Sequence, residues 1–467
     1  MDRTTRRIES LVAFKNSQGV KATGTLVHLT RNMVVFEVYN PYSIVQLSEV
    51  LGEFRVLRGE RVIYSGRAVV SNLVSTGLML IVSATLVDAW TDLLGVPAGA
   101  QLEREVHEFV SDWESSHDLQ PQYQLSVTTI NSFLSELSRW VEQLEAESTN
   151  SEGHRTDPDP DTLASLQHSL TPKIFELFGR FEEVAAQIAP EEEVQHKAFA
   201  QRELHPLMLI SPFVHRTYTK PLGYAGDYEM VNMILRNSAE GPNIYSRIVN
   251  SFVLAREPAE AHRNRIDFLV DLLKHELAKA TAAGRRFKVL NIGCGPARET
   301  ERFIRDVPGS ERAEFSLLDF NEETLEYTRS RLQTACVESK RHPNLNFIHK
   351  SIHDLLRESS KDEEPDEQWD LVFCAGLFDY LSDRICKRLL RLFYHWAKAG
   401  GRVATTNVHA NNPIRLFMEH ILEWYLIYRN DDQFAALVPS EWKPQISTDS
   451  TGVNVYLVAD KPEKTAG

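Results

Sequence analysis

The sequence predicts a multidomain protein: a small N-terminal β-barrel, a helical connector, and a C-terminal α/β Rossmann-like sheet under a helical cap. Three observations carry that prediction. Short β-rich runs fill residues 8–86, an apolar helical period takes over from Asp88, and from Phe287 onward short apolar runs alternate with helical stretches. The last pattern means parallel strands joined by right-handed crossovers, with helices on both faces of the sheet. A chain of 467 residues accommodates two to four domains. The pattern divides as 1–90 barrel, 91–161 connector and linker, 162–262 cap or lid region, and 263–460 sheet.

In the barrel, Thr25 to His28, Met33 to Tyr39, Glu53 to Leu57, Arg61 to Val70 and Gly77 to Ser83 alternate or are fully apolar, with Gly or Asn between them. Leu93, Leu102, Val106, Phe109, Val110 and Trp113, and then Ile130 to Leu144, fall at helical spacing. Those helices could pair with each other or with a second chain, so a homodimer is one outcome. Glu145 to Asp161 is polar and reads as a linker. Helices from Thr162 to Leu277 are interrupted by a Pro, Gly and Tyr-rich segment, Pro212 to Asp227. Strands are expected at Phe287 to Ile292, Phe315 to Leu318, Asn344 to His349, Leu371 to Ala375 and Gly401 to Asn407. A closing hairpin follows, Gln445 to Ser447 with Val453 to Ala459. Pro413 is placed to open a long helix with Phe417, Ile421, Trp424 and Tyr428 along one side.

Composition narrows the function classes. Lys+Arg 51 against Asp+Glu 65 gives a net charge of −14, which argues against nucleic acid as a partner. No run approaches the roughly 18 apolar residues that span a bilayer, and MDRTTRRIES has no apolar secretory core, so a cytoplasmic, not membrane-spanning protein is expected. Cys294, Cys336, Cys374 and Cys386 form no CxxC pair and have no His at zinc spacing; buried thiols and no metal site are expected.

The chemistry concentrates in KVLNIGCGPARET, Lys288 to Thr300, where an apolar strand runs into Gly293, Gly295 and Ala297 and then a helix. Glycines there let backbone N–H groups approach a ligand, and the helix N-terminus adds a positive dipole end. SLLDF follows, placing Asp319 at the end of the next strand, 24 residues after Gly295, where a carboxylate can accept from both ribose hydroxyls. Together these features point to an adenine nucleoside.

The order that follows, NFIHKSIHDLL, WDLVFCAGLFDYLSD, WAKAGGRVATTNV and the hairpin, resembles the class I S-adenosylmethionine-dependent methyltransferases from about Arg263 to Asp460. The resemblance implies S-adenosyl-L-methionine as cofactor. It places Asn291, Gly293, Cys294 and Gly295 at the methionine part, Asp319 and Phe320 at the ribose, and Ser351 with Ile352 beside the adenine. Cys374, Ala375 and Gly376 would lie under the sulfonium, facing the acceptor. Most of the family has an acidic residue two positions before the first glycine, where this chain has Asn291, an amide that can orient the ligand's amino group without a charge.

Methyltransferases of this class commonly cover the acceptor with an N-terminal cap, and the stretch Tyr218 to Glu229 (YTKPLGYAGDYE) suits a lid. Tyr224 and Tyr228 are candidates for positioning the acceptor, Asp227 for binding an amine or capping a helix, and Arg429 for a bidentate carboxylate contact. His409 is a candidate base or an ordinary loop histidine. GYAGDYEMVN and WYLIYR are similar to segments of bacterial methyltransferases that make a 3-hydroxypalmitic acid methyl ester. A small or lipid-like acid acceptor is thereby implied. A carboxylate is already ionised at neutral pH and needs alignment rather than a strong base. N- or O-methylation of another small molecule or a protein stays open, as does a non-catalytic cofactor-binding sensor or scaffold.

The first hundred residues resemble a PilZ-type domain, a β-barrel that in many bacterial proteins binds cyclic diguanylate. Arg3 and Arg7 have the spacing of its Arg-x-x-x-Arg arm, while His28, Thr30 and Met33 stand where the family uses Asp or Asn, Ser and Gly. Met33 in place of glycine blocks a close backbone approach and favours a degenerate barrel that mediates contacts.

Overall fold

The computed structural model describes residues 10–39, 45–58, 61–75, 79–88, 90, 118–147, 160–358 and 368–463, with a few positions between 103 and 110. Six antiparallel strands close the N-terminal barrel in the order β1-β2-β3-β6-β5-β4: β1 Ser10–Lys15, β2 Lys21–Leu29, β3 Met33–Tyr39, β4 Val50–Arg58, β5 Arg61–Ser75 and β6 Met79–Leu86. Alternation drives closure, since in β6 every second residue is buried. Phe14, Phe36, Phe54 and Tyr64 meet inside with neighbouring ring centroids 5.5–6.2 Å apart. β1 is not among the named runs: Leu11 to Phe14 are four consecutive apolar residues that show no alternation. His28 lies near the end of β2, Thr30 in the turn and Met33 at the start of β3, with Thr30 Oγ1 accepting from the Met33 amide at 3.0 Å. Arg3 and Arg7 lie outside the described residues, as do Leu93, Leu102, Phe109 and Trp113 of the first predicted helix.

The predicted connector helix, Pro121–Glu147, belongs to the cap. Its Tyr123, Val127, Ile130 and Leu134 share one apolar cluster with helices 160–185, 193–208, 212–219, 228–236 and 244–254. The ends of the expected linker, 145–147 and 160–161, are helical, and 148–159 lie outside the described residues. The boundary expected at 262/263 falls inside one helix, Glu257–Ala282, that runs from cap to sheet. Half of the Pro, Gly and Tyr-rich segment 212–227 is also helical: Ser211 caps Pro212–Thr219, and Lys220 at φ 47° ends it. The loop proper is 220–227.

The C-terminal sheet runs β12-β13-β11-β10-β7-β8-β9, with β7 Phe287–Ile292, β8 Ala313–Asp319, β9 Asn344–His349, β10 Trp369–Cys374 and β11 Ala397–Val408 parallel. The hairpin β12 Gln445–Thr448 and β13 Asn454–Asp460 adds antiparallel at β11. Strand order reverses between β7 and β10, which opens a crevice at their carboxyl ends.

The long helix expected after Pro413 does not form. Only Arg415–His420 is helical; the chain then passes through Glu423 at φ 49° and runs irregularly to Arg429. Phe417, Ile421, Trp424 and Tyr425 are buried along with Leu422 and Leu426 between them, so no polar face remains for a surface helix. The backbone bonds elsewhere instead: the Ile427 amide donates to Asp379 O at 2.6 Å, and Ser48 of the barrel donates to Tyr425 O at 2.9 Å. The barrel also reaches the lid, where the Val50 amide donates to Gly223 O at 2.7 Å. Lys197 of the cap spans this joint, 2.8 Å from Tyr425 Oη, 3.3 Å from Glu423 and 3.2 Å from Thr85 Oγ1.

Burial of ionisable groups predicts an acid-shifted stability optimum. His262 and His420 are pushed down to about 3 by burial, while Glu49, Glu182 and Glu419 are pushed up to about 7. The unfolded chain takes up protons on its histidines as pH falls below about 6.5, which the folded state resists. As pH rises above about 4.5, the unfolded glutamates ionise before the buried ones, so their contribution is lost through about 7. The melting midpoint is therefore expected to peak near pH 5, where three glutamates begin to outweigh two histidines, and to decline until about pH 7. A midpoint rising steadily to pH 8 would contradict this balance.

Candidate functional site

One pocket occupies the crevice at the carboxyl ends of β7, β8 and β10, walled by the cap, the lid and the barrel. Its floor is the turn after β7. Gly293 at φ 64° and Gly295 at φ 50° adopt left-handed backbone that side chains disfavour, and Ala297 at φ 45° leads into helix Arg298–Asp306. At Gly376, φ 86°, a Cβ would stand 2.9 Å from Arg265 Nη1, so β10 and helix 257–282 cross closely there.

Asp319 ends β8 at the pocket, with Oδ2 accepting from the Gly295 amide and Oδ1 from the Asn321 amide, each at 3.0 Å. Burial pushes its carboxyl above the usual range. Phe320, Ile352, Asn291, Gly293, Cys294, Gly295, Ala375 and Gly376 also line the pocket. Ser351 does not: its Oγ donates to Asp354 Oδ2 at 2.7 Å in a local turn. Cys374 is sealed in the sheet below the pocket, where burial pushes its thiol up. Asn291 donates from Nδ2 to Glu299 Oε1 at 2.8 Å, so a buried carboxylate stands beside the amide after all.

The lid residues divide. Tyr224 packs against Phe320 with centroids 5.2 Å apart, covering the Asp319 side. Tyr228 lies on Tyr327 at 4.6 Å and donates to Glu323, at the rim. Asp227 is spent on structure, capping the Met230 amide at 2.8 Å and pairing with Arg216 at 2.9 Å. Arg429 is likewise spent, contrary to its expected contact with an acceptor. Its guanidinium donates to Asp383, to the carbonyls of Phe378 and Leu381, and to Asn407, at 2.6–3.0 Å, and it does not line the pocket. A sequence cannot tell an arginine satisfied by its own fold from one awaiting a ligand. His409 also stays outside the pocket, accepting from the Asn411 amide at 3.0 Å with Nε2 3.4 Å from Asp431.

Several lining residues escaped the sequence reading. Arg265 and His262 lie one turn apart on helix 257–282, and Nδ1 of His262 sits 3.0 Å from Pro258 O. Asp379, just after β10, accepts from the Val408 amide at 2.6 Å, and burial pushes its carboxyl up. Tyr380 Oη accepts from Trp424 Nε1 at 2.9 Å. From the barrel come Ser17, Gln18, Gln46, Leu47 and Glu49.

Residues 289–401 match the family model described as a methyltransferase domain, a stretch that holds the glycine turn, Asp319 and Gly376. The chain carries an S-adenosylmethionine-dependent methyltransferase domain. No curated protein matches this methyltransferase. Among solved structures, a possible exported protein from Bordetella parapertussis is 15% identical over 74% of this chain and 99% of its own, with a TM-score of 0.41. A magnesium protoporphyrin IX methyltransferase from Synechocystis with bound S-adenosylhomocysteine is 11% identical over 49% and 93%, TM-score 0.33. An N-methyltransferase from Bradyrhizobium japonicum is 16% identical over 50% and 98%, TM-score 0.30.

The residues present fit the cofactor. The turn at Gly293 and Gly295 leaves room for a ligand against backbone, since a Cβ at Gly295 would meet nothing within 4 Å. The buried Asp319 supplies a carboxylate at the adjoining strand end. Among the described residues, no helix is long and apolar enough to cross a membrane.

Proposed function

We propose that this methyltransferase methylates the carboxylate of an apolar, lipid-like acid. The observation that carries the proposal is the wall of the pocket beyond Gly376: Phe213, Met230, Ile234, Phe417, Met418 and Leu422, contributed by the cap and the 414–426 segment. Such a wall favours an alkyl chain over a polar acceptor. The bound cofactor supplies an electrophilic methyl group on a sulfonium. Asp319 is suited to hold the ribose hydroxyls, Phe320 and Ile352 the flanks of the nucleoside, and Tyr224 to cover it. Tyr380, whose oxygen is already bonded by Trp424, retains its own proton to donate to an acceptor carboxylate and align it. His262 supports this reading, because a histidine held near 3 is a weak base and leaves the site suited to an acceptor that is already ionised.

Asp379 favours a second reading. It is a buried carboxylate of raised pKa in the same pocket, and it could take a proton from a hydroxyl or amine acceptor. Alkanoic acids and the primary alcohols of matching chain length separate the two. Methyl esters formed from the acids, at rates that increase with chain length and survive Asp379→Asn, are expected. Methyl ethers from the alcohols, lost in Asp379→Asn, would overturn the carboxylate assignment.

A further inference from the structure

Arg265 is the anomaly of this pocket. It is only 6% exposed, and among the described residues it has no hydrogen bond and no ion pair, whereas the comparably buried Arg429 and Arg256 are paired. A guanidinium withdrawn from water with no hydrogen-bonded anion is costly, since Glu299 and Asp379 act on it only from a distance, and the cost is recovered when an anion arrives in contact. The guanidinium itself lies against Gly376, whose missing Cβ leaves it room, and Arg265 lines the same pocket as Gly293, so an anion in that pocket can reach it.

Across the same turn stands Glu299, 5% exposed, in the first turn of helix 298–306. Asn291 and Thr300 both donate to its Oε1, at 2.8 and 3.2 Å. Glu299 and Arg265 line the same pocket and feel each other's charge, yet no ion pair joins them within 4.0 Å. A buried cation and a buried carboxylate that face one cavity without closing on each other are complementary to a zwitterion. The cofactor carries one, at its methionine end.

We propose that Arg265 binds the carboxylate of the methionyl group of S-adenosylmethionine and that Glu299, steadied by Asn291, binds its ammonium. Glu299 on the following helix would then do the work of the acid expected two positions before Gly293, with Asn291 holding it. The proposal rests on the cofactor and is independent of the acceptor.

Calorimetry with three ligands tests it: S-adenosylhomocysteine, decarboxylated S-adenosylmethionine, which lacks the carboxylate, and 5′-methylthioadenosine, which lacks both groups. Arg265→Gln should weaken S-adenosylhomocysteine about 100-fold while leaving the other two within about threefold. Glu299→Gln should weaken S-adenosylhomocysteine and decarboxylated S-adenosylmethionine by about tenfold and spare 5′-methylthioadenosine. Wild-type protein alone should prefer S-adenosylhomocysteine to 5′-methylthioadenosine by more than about 100-fold, which keeps the test alive if a variant fails to fold. Equal losses for all three ligands would make both residues structural and overturn the proposal. Unchanged binding in Arg265→Gln with lost turnover would move Arg265 to the acceptor and overturn it too. Failure of the wild type to bind S-adenosylhomocysteine at all would remove the cofactor assignment itself.

Discussion

Asp319→Asn is expected to weaken S-adenosylhomocysteine about 100-fold while leaving the empty protein at least as stable as the wild type. The two effects have one cause. In the empty protein the carboxylate is buried and its pKa is raised, so burial outweighs the two amide bonds it accepts from Gly295 and Asn321. An asparagine of the same shape removes the buried charge and keeps one acceptor oxygen. Two ribose hydroxyls, however, need two charged acceptor oxygens, and loss of such a pair is worth roughly 2–3 kcal/mol of binding. Calorimetry and a thermal melt on the same sample give both numbers. A lower melting midpoint with unchanged affinity would mean that Asp319 serves the β8 terminus and not a ligand.

Arg429→Met is expected to do the reverse, lowering stability by about 3–5 kcal/mol with no specific effect on acceptor affinity in the folded fraction. Arg429 is 2% exposed, and its donors tie Asp383, two carbonyls of the 378–381 turn and Asn407 of β11 to the end of the 421–429 segment. Removing it leaves buried acceptors at Phe378, Leu381 and Asn407 without partners, and those carry the larger part of the loss. The bridge to the exposed Asp383 contributes less, because water screens that partner. Arg429→Lys should recover little, since an ammonium cannot reach four acceptors in a planar fork. Urea denaturation reads the effect. Unchanged stability with a selectively raised KM for the acceptor would restore the binding role that the sequence suggested.

The contrast between these residues shows what the sequence could disclose. The strand, glycine turn and Asp319 were legible because backbone conformation and strand ends leave local traces: a glycine where φ is positive, an acid where an apolar run stops. The barrel was legible as alternation, although its first strand shows none and did not stand out. Arg429 was not, because an arginine offers the same letter whether its carboxylate is a ligand or Asp383, 46 positions away. The segment after Pro413 misled for a related reason. Helical spacing of aromatics marks an amphipathic surface helix only if the residues between them face water, and here Leu422, Tyr425 and Leu426 are buried as well. His262, Arg265 and Asp379 hid inside otherwise ordinary runs, and only the packing of helix 257–282 across β10 brings them to one cavity. The barrel's share in the pocket wall, through Gln46, Glu49 and the turn at Ser17, was beyond any local pattern. Glu49 and Ser17 are joined by a hydrogen bond across 32 positions.

The account turns on where the methyl group goes. Incubating the purified protein with methyl-labelled S-adenosylmethionine and a bacterial extract, then partitioning the products and treating each fraction with mild alkali, reads that directly. Label in the organic phase that alkali releases is the predicted result, a methyl ester of an apolar acid. Alkali-stable label, or label retained in aqueous or protein fractions, would contradict the carboxylate acceptor and leave Asp379 as the residue to pursue.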